Sequence, residues 1–139
     1  MKKLFVFVFS VFVLGGFNAT AQCNAETLST LCIPKLASGY NFLKSYKVEK
    51  GGKEFVEYSY VFTKGTQYMI NICAPEENAN GIIVTLEDSD RNMVASSKVN
   101  DQYITAIAYP CKNTGIYYIR YTFDDTAAAC GGSALGFKR

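Results

Sequence analysis

NTGIYYIRYTF, residues 113–123, decides the reading of the fold. Three turn-forming residues, Asn113, Thr114 and Gly115, precede eight residues rich in β-branched and aromatic side chains. Side chains alternate sides along an extended strand. Tyr117, Ile119, Tyr121 and Phe123 therefore share one face, and Tyr118, Arg120 and Thr122 share the other. The first set suits a core, because tyrosine fills volume as phenylalanine does and can send its hydroxyl to the rim. The second set faces solvent.

The same grammar extends outward in both directions. In EFVEYSYVFT, 54–63, Val56, Tyr58, Tyr60 and Phe62 fall on one face, with Glu57, Ser59 and Thr63 on the other. Strands are expected over 40–49, 54–63, 68–73, 82–87, 93–97, 103–109, 116–123 and 133–137. They are separated by Gly51-Gly52, Lys64-Gly65-Thr66, the polar loop 75–81, the turn 88–92, the loop 98–101 and Pro110. Short strands at this spacing, bounded by Gly, Asn and Asp, indicate an all-β fold: a jelly-roll-like antiparallel β-sandwich of about eight strands. Ahead of them, 24–31 reads as a short helix, with Asn24 as its N-cap, Glu26 in the first turn and Pro34 ending it.

The N-terminus has its own logic. Lys2 and Lys3 precede an apolar run from Leu4 to Leu14, and Ala19-Thr20-Ala21 follows. That order is a cleaved secretory signal, and the run is shorter than the ~18 apolar residues that a membrane span needs. Three segments are expected: a signal peptide over 1–21, an N-terminal segment with the helix over 22–39, and the β-sandwich domain over 40–139. Gln22 and Thr20 do not suit a lipid anchor on Cys23. The expected location is secreted or periplasmic, with association at the cell surface as a further option, and no membrane span remains after cleavage. Lys+Arg number 14 against 12 Asp+Glu, and the signal removes Lys2 and Lys3. The remainder is formally neutral, which argues against a nucleic-acid footprint and against electrostatic docking on anionic membranes.

Four stretches in order, EFVEYSYVFTKGTQYMINI, GIIVTLEDSDRNMVASS, NTGIYYIRYTF and SALGFK, together resemble the bacterial pre-peptidase C-terminal domain, over roughly residues 54–137. The resemblance implies a jelly-roll-like sandwich serving as an accessory or binding module of secreted proteins. Relatives typically ride on peptidases, and some related modules bind collagen. This chain departs from them in carrying no catalytic partner domain and in having five cysteines, which puts both a protease-helper and a collagen role in question.

Export makes disulfides permissible. Cysteines stand at 23, 32, 73, 111 and 130, with no C-x-x-C pair and no histidine, so a zinc site is not expected. If strands alternate up and down, Cys73 and Cys130 lie at one end of the sandwich, and Cys111, with Cys32 ahead of the first strand, at the other. The ends are ~20 Å apart at ~3.3 Å per residue, while a disulfide needs Cα atoms within ~7 Å. The expected pairs are Cys73–Cys130 and Cys32–Cys111, with Cys23 left over.

Without histidine, Ser-His-Asp and Cys-His catalysis are excluded, and acid–base chemistry would fall to Asp, Glu, Lys or Tyr. Glu54 and Glu57 fall on opposite faces of one strand, so no carboxylate pair forms there. The expectation is a non-enzyme with no cofactor. Asp88 and Asp90 are calcium candidates, since calcium takes several oxygen ligands. The turn reading, in which Asp side chains bond their own backbone, is preferred, because Arg91 adds a competing charge. Tyr118 and Arg120 are the candidate binding residues, and Phe55 and Val61 fall on the outward face of the second strand, 54–63. Tyr and Arg are typical anchors of binding surfaces. The expected function is recognition of an envelope or extracellular polysaccharide or other polymer. The alternative is a structural subunit docking on an exported protein, and a small hydrolase ranks third.

Overall fold

The computed structural model describes residues 23–75, 81–124 and 130–139, and the expected signal peptide over 1–21 lies outside them. A helix, α1 (Ala25–Cys32), and a 3-10 turn (Ile33–Lys35) lead into β1 (Asn41–Glu49), β2 (Phe55–Phe62), β3 (Gln67–Cys73), β4 (Ile82–Glu87) and β5 (Met93–Ser96). β6 (Lys98–Val99), β7 (Gln102–Tyr103), β8 (Ala106–Pro110), β9 (Gly115–Phe123) and β10 (Cys130–Lys138) complete the chain. One four-stranded sheet runs β1-β10-β3-β8 and the other β2-β9-β4-β5. All pairings are antiparallel. The expected sandwich is present. Asn24 caps α1 as expected, its Oδ1 accepting from the Thr27 amide at 3.1 Å.

Among the described residues ten strands form rather than eight. The expected loop 98–101 and the start of the expected strand 103–109 make a separate ribbon, β6–β7, in which Val99 pairs with Gln102. Asn100 and Asp101, the two residues between, both have positive φ, 50° and 59°. That is the geometry a tight two-residue hairpin requires, and Asn and Asp tolerate it.

The core lies between the sheets. On β9, Tyr117, Ile119 and Tyr121 are buried as their alternation predicts, and they face Ile70, Ile107 and Leu135 of the other sheet. Phe62 stacks between Tyr68 and Tyr117, at centroid distances of 3.8 and 4.8 Å. Tyr117 sends its hydroxyl to the rim, donating to the Asn113 carbonyl at 2.8 Å. Tyr121 keeps its hydroxyl inside, bonded to Ser133 Oγ at 2.6 Å. Burial pushes that hydroxyl well above the usual tyrosine range.

β10 explains where the helix goes. Its first seven residues are all buried, so both faces of this strand are covered. Leu135 points into the core, while Gly132 and Ala134 point outward beneath the N-terminal segment. A Cβ on Gly132 would lie 2.2 Å from the Ser29 nitrogen and 2.3 Å from the Leu28 carbonyl carbon. Only a glycine here lets α1 rest on the sheet. The expected last strand starts at 133, whereas Gly131-Gly132 belong to it as well.

Asn71 then locks the helix in place. It is 3% exposed, donates to the Cys32 carbonyl at 2.8 Å and accepts from the Ala134 amide at 2.8 Å. Replacing it with leucine leaves two buried backbone groups without partners, at ~1–3 kcal/mol each. Asn71→Leu is therefore expected to lower unfolding free energy by ~2–6 kcal/mol, read from the urea midpoint. A midpoint equal to wild type would show that the amide does not anchor α1.

Both expected disulfide pairs are corrected. Cys32 bonds Cys73, with Cα atoms 5.7 Å apart, and Cys23 bonds Cys130, at 5.9 Å. Cys111, not Cys23, is the free cysteine, and it is buried. Cys73 does sit near Cys130, since Gly132 is the register partner of Cys73. The error lies in Cys32. α1 rests at the Cys73 end of the sheet, and residues 33–40 run back along it to reach the start of β1, with Leu36 over Gly136. Each end-cysteine of the sheet thus finds its partner in the N-terminal segment. Two disulfides fit an exported protein.

Candidate functional site

The outer face of the β2-β9-β4-β5 sheet collects the candidate binding residues. β2 and β9 pair in register, Phe55 with Thr122, Glu57 with Arg120, Ser59 with Tyr118 and Val61 with Ile116. β4 sets Glu87 beside Tyr118 and Thr85 beside Arg120. The outward alternation of both strands thus converges on one surface, and Tyr118, Arg120, Phe55 and Val61 all lie on it, as the sequence predicts.

Glu57 organises this surface. Its Oε1 meets Arg91 Nη1 at 3.0 Å, and its Oε2 meets Arg120 Nη2 and Nε, each at 3.0 Å. Glu87 adds contacts to Arg91 at 3.4 Å and to Arg120 at 3.9 Å. Burial works to raise the Glu57 carboxyl, but the hydrogen bonds and charges of Arg91 and Arg120 outweigh it and hold the group below its ordinary value. Each guanidinium also stacks on an aromatic ring. Arg91 Cζ lies 3.4 Å from the centre of Tyr118, and Arg120 Cζ lies 4.2 Å from the centre of Phe55. Partly exposed ion pairs add little to stability. Their consequence here is orientation, since two carboxylates and two rings hold both arginines in fixed positions.

Apolar side chains flank the charged centre. Val61 is 58% exposed, Ile116 48% and Met93 66%. The pair Val61 and Ile116 lies directly across the β2–β9 ladder. The sequence reading weighed Glu57 only as a partner for Glu54 and Arg91 only as a charge competing with calcium, and it did not join them or Glu87 to this surface. Shared parity with the outward Phe55 and Val61 could have drawn attention to Glu57. Nothing in the sequence brings Arg91, in a turn 34 residues away, onto the same carboxylate.

The calcium candidates lie elsewhere, at the end of the sandwich. Asp88 Oδ1 accepts from the backbone amides of Asp90 and Asn92, each at 2.9 Å, so this carboxylate closes its own turn. Asp88 and Asp90 border an open cleft of about 350 Å³ whose other walls include Lys112 and Tyr109. Among the described residues no group of three or more metal-ligating side chains forms. Glu54 is exposed, just ahead of β2. Among them too, no helix is long and apolar enough to cross a membrane.

No protein-family model and no curated protein sequence matches the chain. Solved structures do. The pre-peptidase C-terminal domain of a collagenase from Bacillus anthracis superposes with a TM-score of 0.50 at 19% identity, covering 70% of this chain and 90% of that one. PliG of Aeromonas hydrophila, a periplasmic inhibitor of g-type lysozyme, superposes with a TM-score of 0.48 at 11% identity, covering 72% of this chain and 87% of that one. The collagenase domain shows that this chain has a fold like that of the pre-peptidase C-terminal domain, as its sequence resemblance implied.

Proposed function

We propose that this chain is an exported, non-catalytic binding module that docks on another exported protein through the outer face of the β2-β9-β4-β5 sheet. One observation carries the choice of a protein over a polysaccharide. A sugar ring stacks on an open aromatic face, but Tyr118 and Phe55 each have a face covered by a guanidinium. What remains available is a pair of oriented arginines beside the uncovered part of Phe55 and exposed aliphatic side chains, the mixture typical of a protein-binding surface. Glu57 and Glu87 are tied into ion pairs, which supports a structural role for them rather than acid–base work. Residues 1–21 serve as the export signal, and the two disulfides support a secreted or periplasmic location.

The test is site-specific photo-crosslinking in the native compartment. A photoreactive residue at Ser59 or Ile116 is expected to trap one protein other than this chain, and one at Lys50, in the hairpin between β1 and β2, is expected to trap none. Changing Tyr118→Ala together with Arg120→Ala should lower the yield from Ser59 by at least ~10-fold while the melting temperature stays near wild type. Equal adducts from all three positions, or glycan adducts alone, would overturn the reading.

A further inference from the structure

Edge strands of a sheet are templates for pairing, and proteins protect them with charged side chains, lysine above all, or with proline, bulges, brevity or a covering element. Three of the four edges of this sandwich carry such protection. β1 has Lys44 and Lys47 and a register shift between Phe42 and Lys44. β8 is five residues long, ends at Pro110 and lies against β5. β5 has only four residues. β2 carries only one charge, Glu57, and Arg91 and Arg120 of its own sheet already neutralise it. It has eight residues, no proline or lysine, and an unbroken ladder with β9 on its other side. Among the described residues, Phe55–Phe62 make no backbone hydrogen bond outside that ladder. Apolar surface is left open on both of its faces: Phe55 and Val61 outward are exposed, and Val56, Tyr58 and Tyr60 inward are only half-buried.

We infer that β2 pairs antiparallel with β2 of a second copy of this chain, joining the two outer sheets into one of eight strands. The strand is complementary to itself in a single register. Side chains opposite each other must lie on the same face of the sheet, so shifts go by two residues. With Tyr58 on the two-fold axis, Phe55 faces Val61, Glu57 faces Ser59 and Val56 faces Tyr60. The next register in one direction sets Glu57 against Glu57, and in the other it sets Glu57 against Val61. In the favoured register no like charges meet directly across the ladder, and Glu57 already holds Arg91 and Arg120. Burying the apolar side chains of both β2 faces supplies the driving force. This inference does not rest on the proposed partner-docking role, and its readout is the mass of the assembly rather than capture of a partner.

Sedimentation equilibrium of the purified, oxidised chain is expected to give the mass of two copies. Val61→Glu sets a carboxylate against Phe55 of the second copy and should give one copy. Adding Phe55→Lys to Val61→Glu places an ammonium group opposite each new carboxylate, once in each half of the two-fold pair, and should restore two. Restoration also shows that the single variant was folded. A wild-type chain that stays at one copy at millimolar concentration overturns the inference, and so does a Val61→Glu chain that stays at two. Failure of the double variant to re-form the pair overturns the register.

Discussion

Gly132→Val is expected to lower stability by ~3 kcal/mol or more, at the top of the usual range for overpacking. The conflict is with main chain. The first added carbon would sit 2.2 Å from the Ser29 nitrogen and 2.5 Å from its Cα, inside any tolerable contact. Backbone cannot rotate away as the end of a side chain can, so α1 must lift from the sheet. Lifting it strains the Cys32–Cys73 bridge and withdraws the Cys32 carbonyl from Asn71. Denaturant unfolding measures the loss, and hydrogen exchange over residues 25–32 should rise with it. A variant with wild-type midpoint and protection would mean that α1 does not lie on β10.

Loss of the Cys32–Cys73 bridge is the second large effect. The bridge spans a separation of 41 residues. Loop-closure entropy for that span gives ~4 kcal/mol of destabilisation of the unfolded chain. Small domains have only ~5–15 kcal/mol in total, so a Cys32→Ala, Cys73→Ala double variant should lose about a quarter or more of its stability. The comparison is between unfolding midpoints of the two oxidised proteins, with Cys23–Cys130 intact in both. A loss under ~1 kcal/mol, or a non-reduced peptide map joining Cys32 to Cys111, would sink the assignment.

The two predictions share a cause that also marks where sequence reading stops. The period-two pattern of 54–63 and 113–123 reports which side chains share a face, because alternation follows from the geometry of one extended strand. Tyr117, Ile119 and Tyr121 were therefore legible as core, and Tyr118 and Arg120 as outward. β10 was hard to read for the opposite reason. A strand covered on both faces loses alternation, and its glycines imitate a turn until the helix above them is known. The disulfide pairing failed at the same place, since it depended on where α1 rests.

The candidate site divides along the same line. Its outward residues on β2 and β9 follow from each strand's own pattern. Their union with Arg91 and Glu87 around Glu57 depends on which strands are neighbours and in which register. By itself the sequence determined the class of fold, the capped N-terminal helix, the inward and outward sides of the aromatic strands, and the absence of histidine chemistry. Each of these is local, set by alternation along one strand, by capping within one turn, or by composition. The tertiary structure alone decided the order of strands, the seat of α1 on Gly132, both disulfide partners and the arginine pair clamped on Glu57. Those depend on contacts between residues distant in sequence, which local periodicity does not encode.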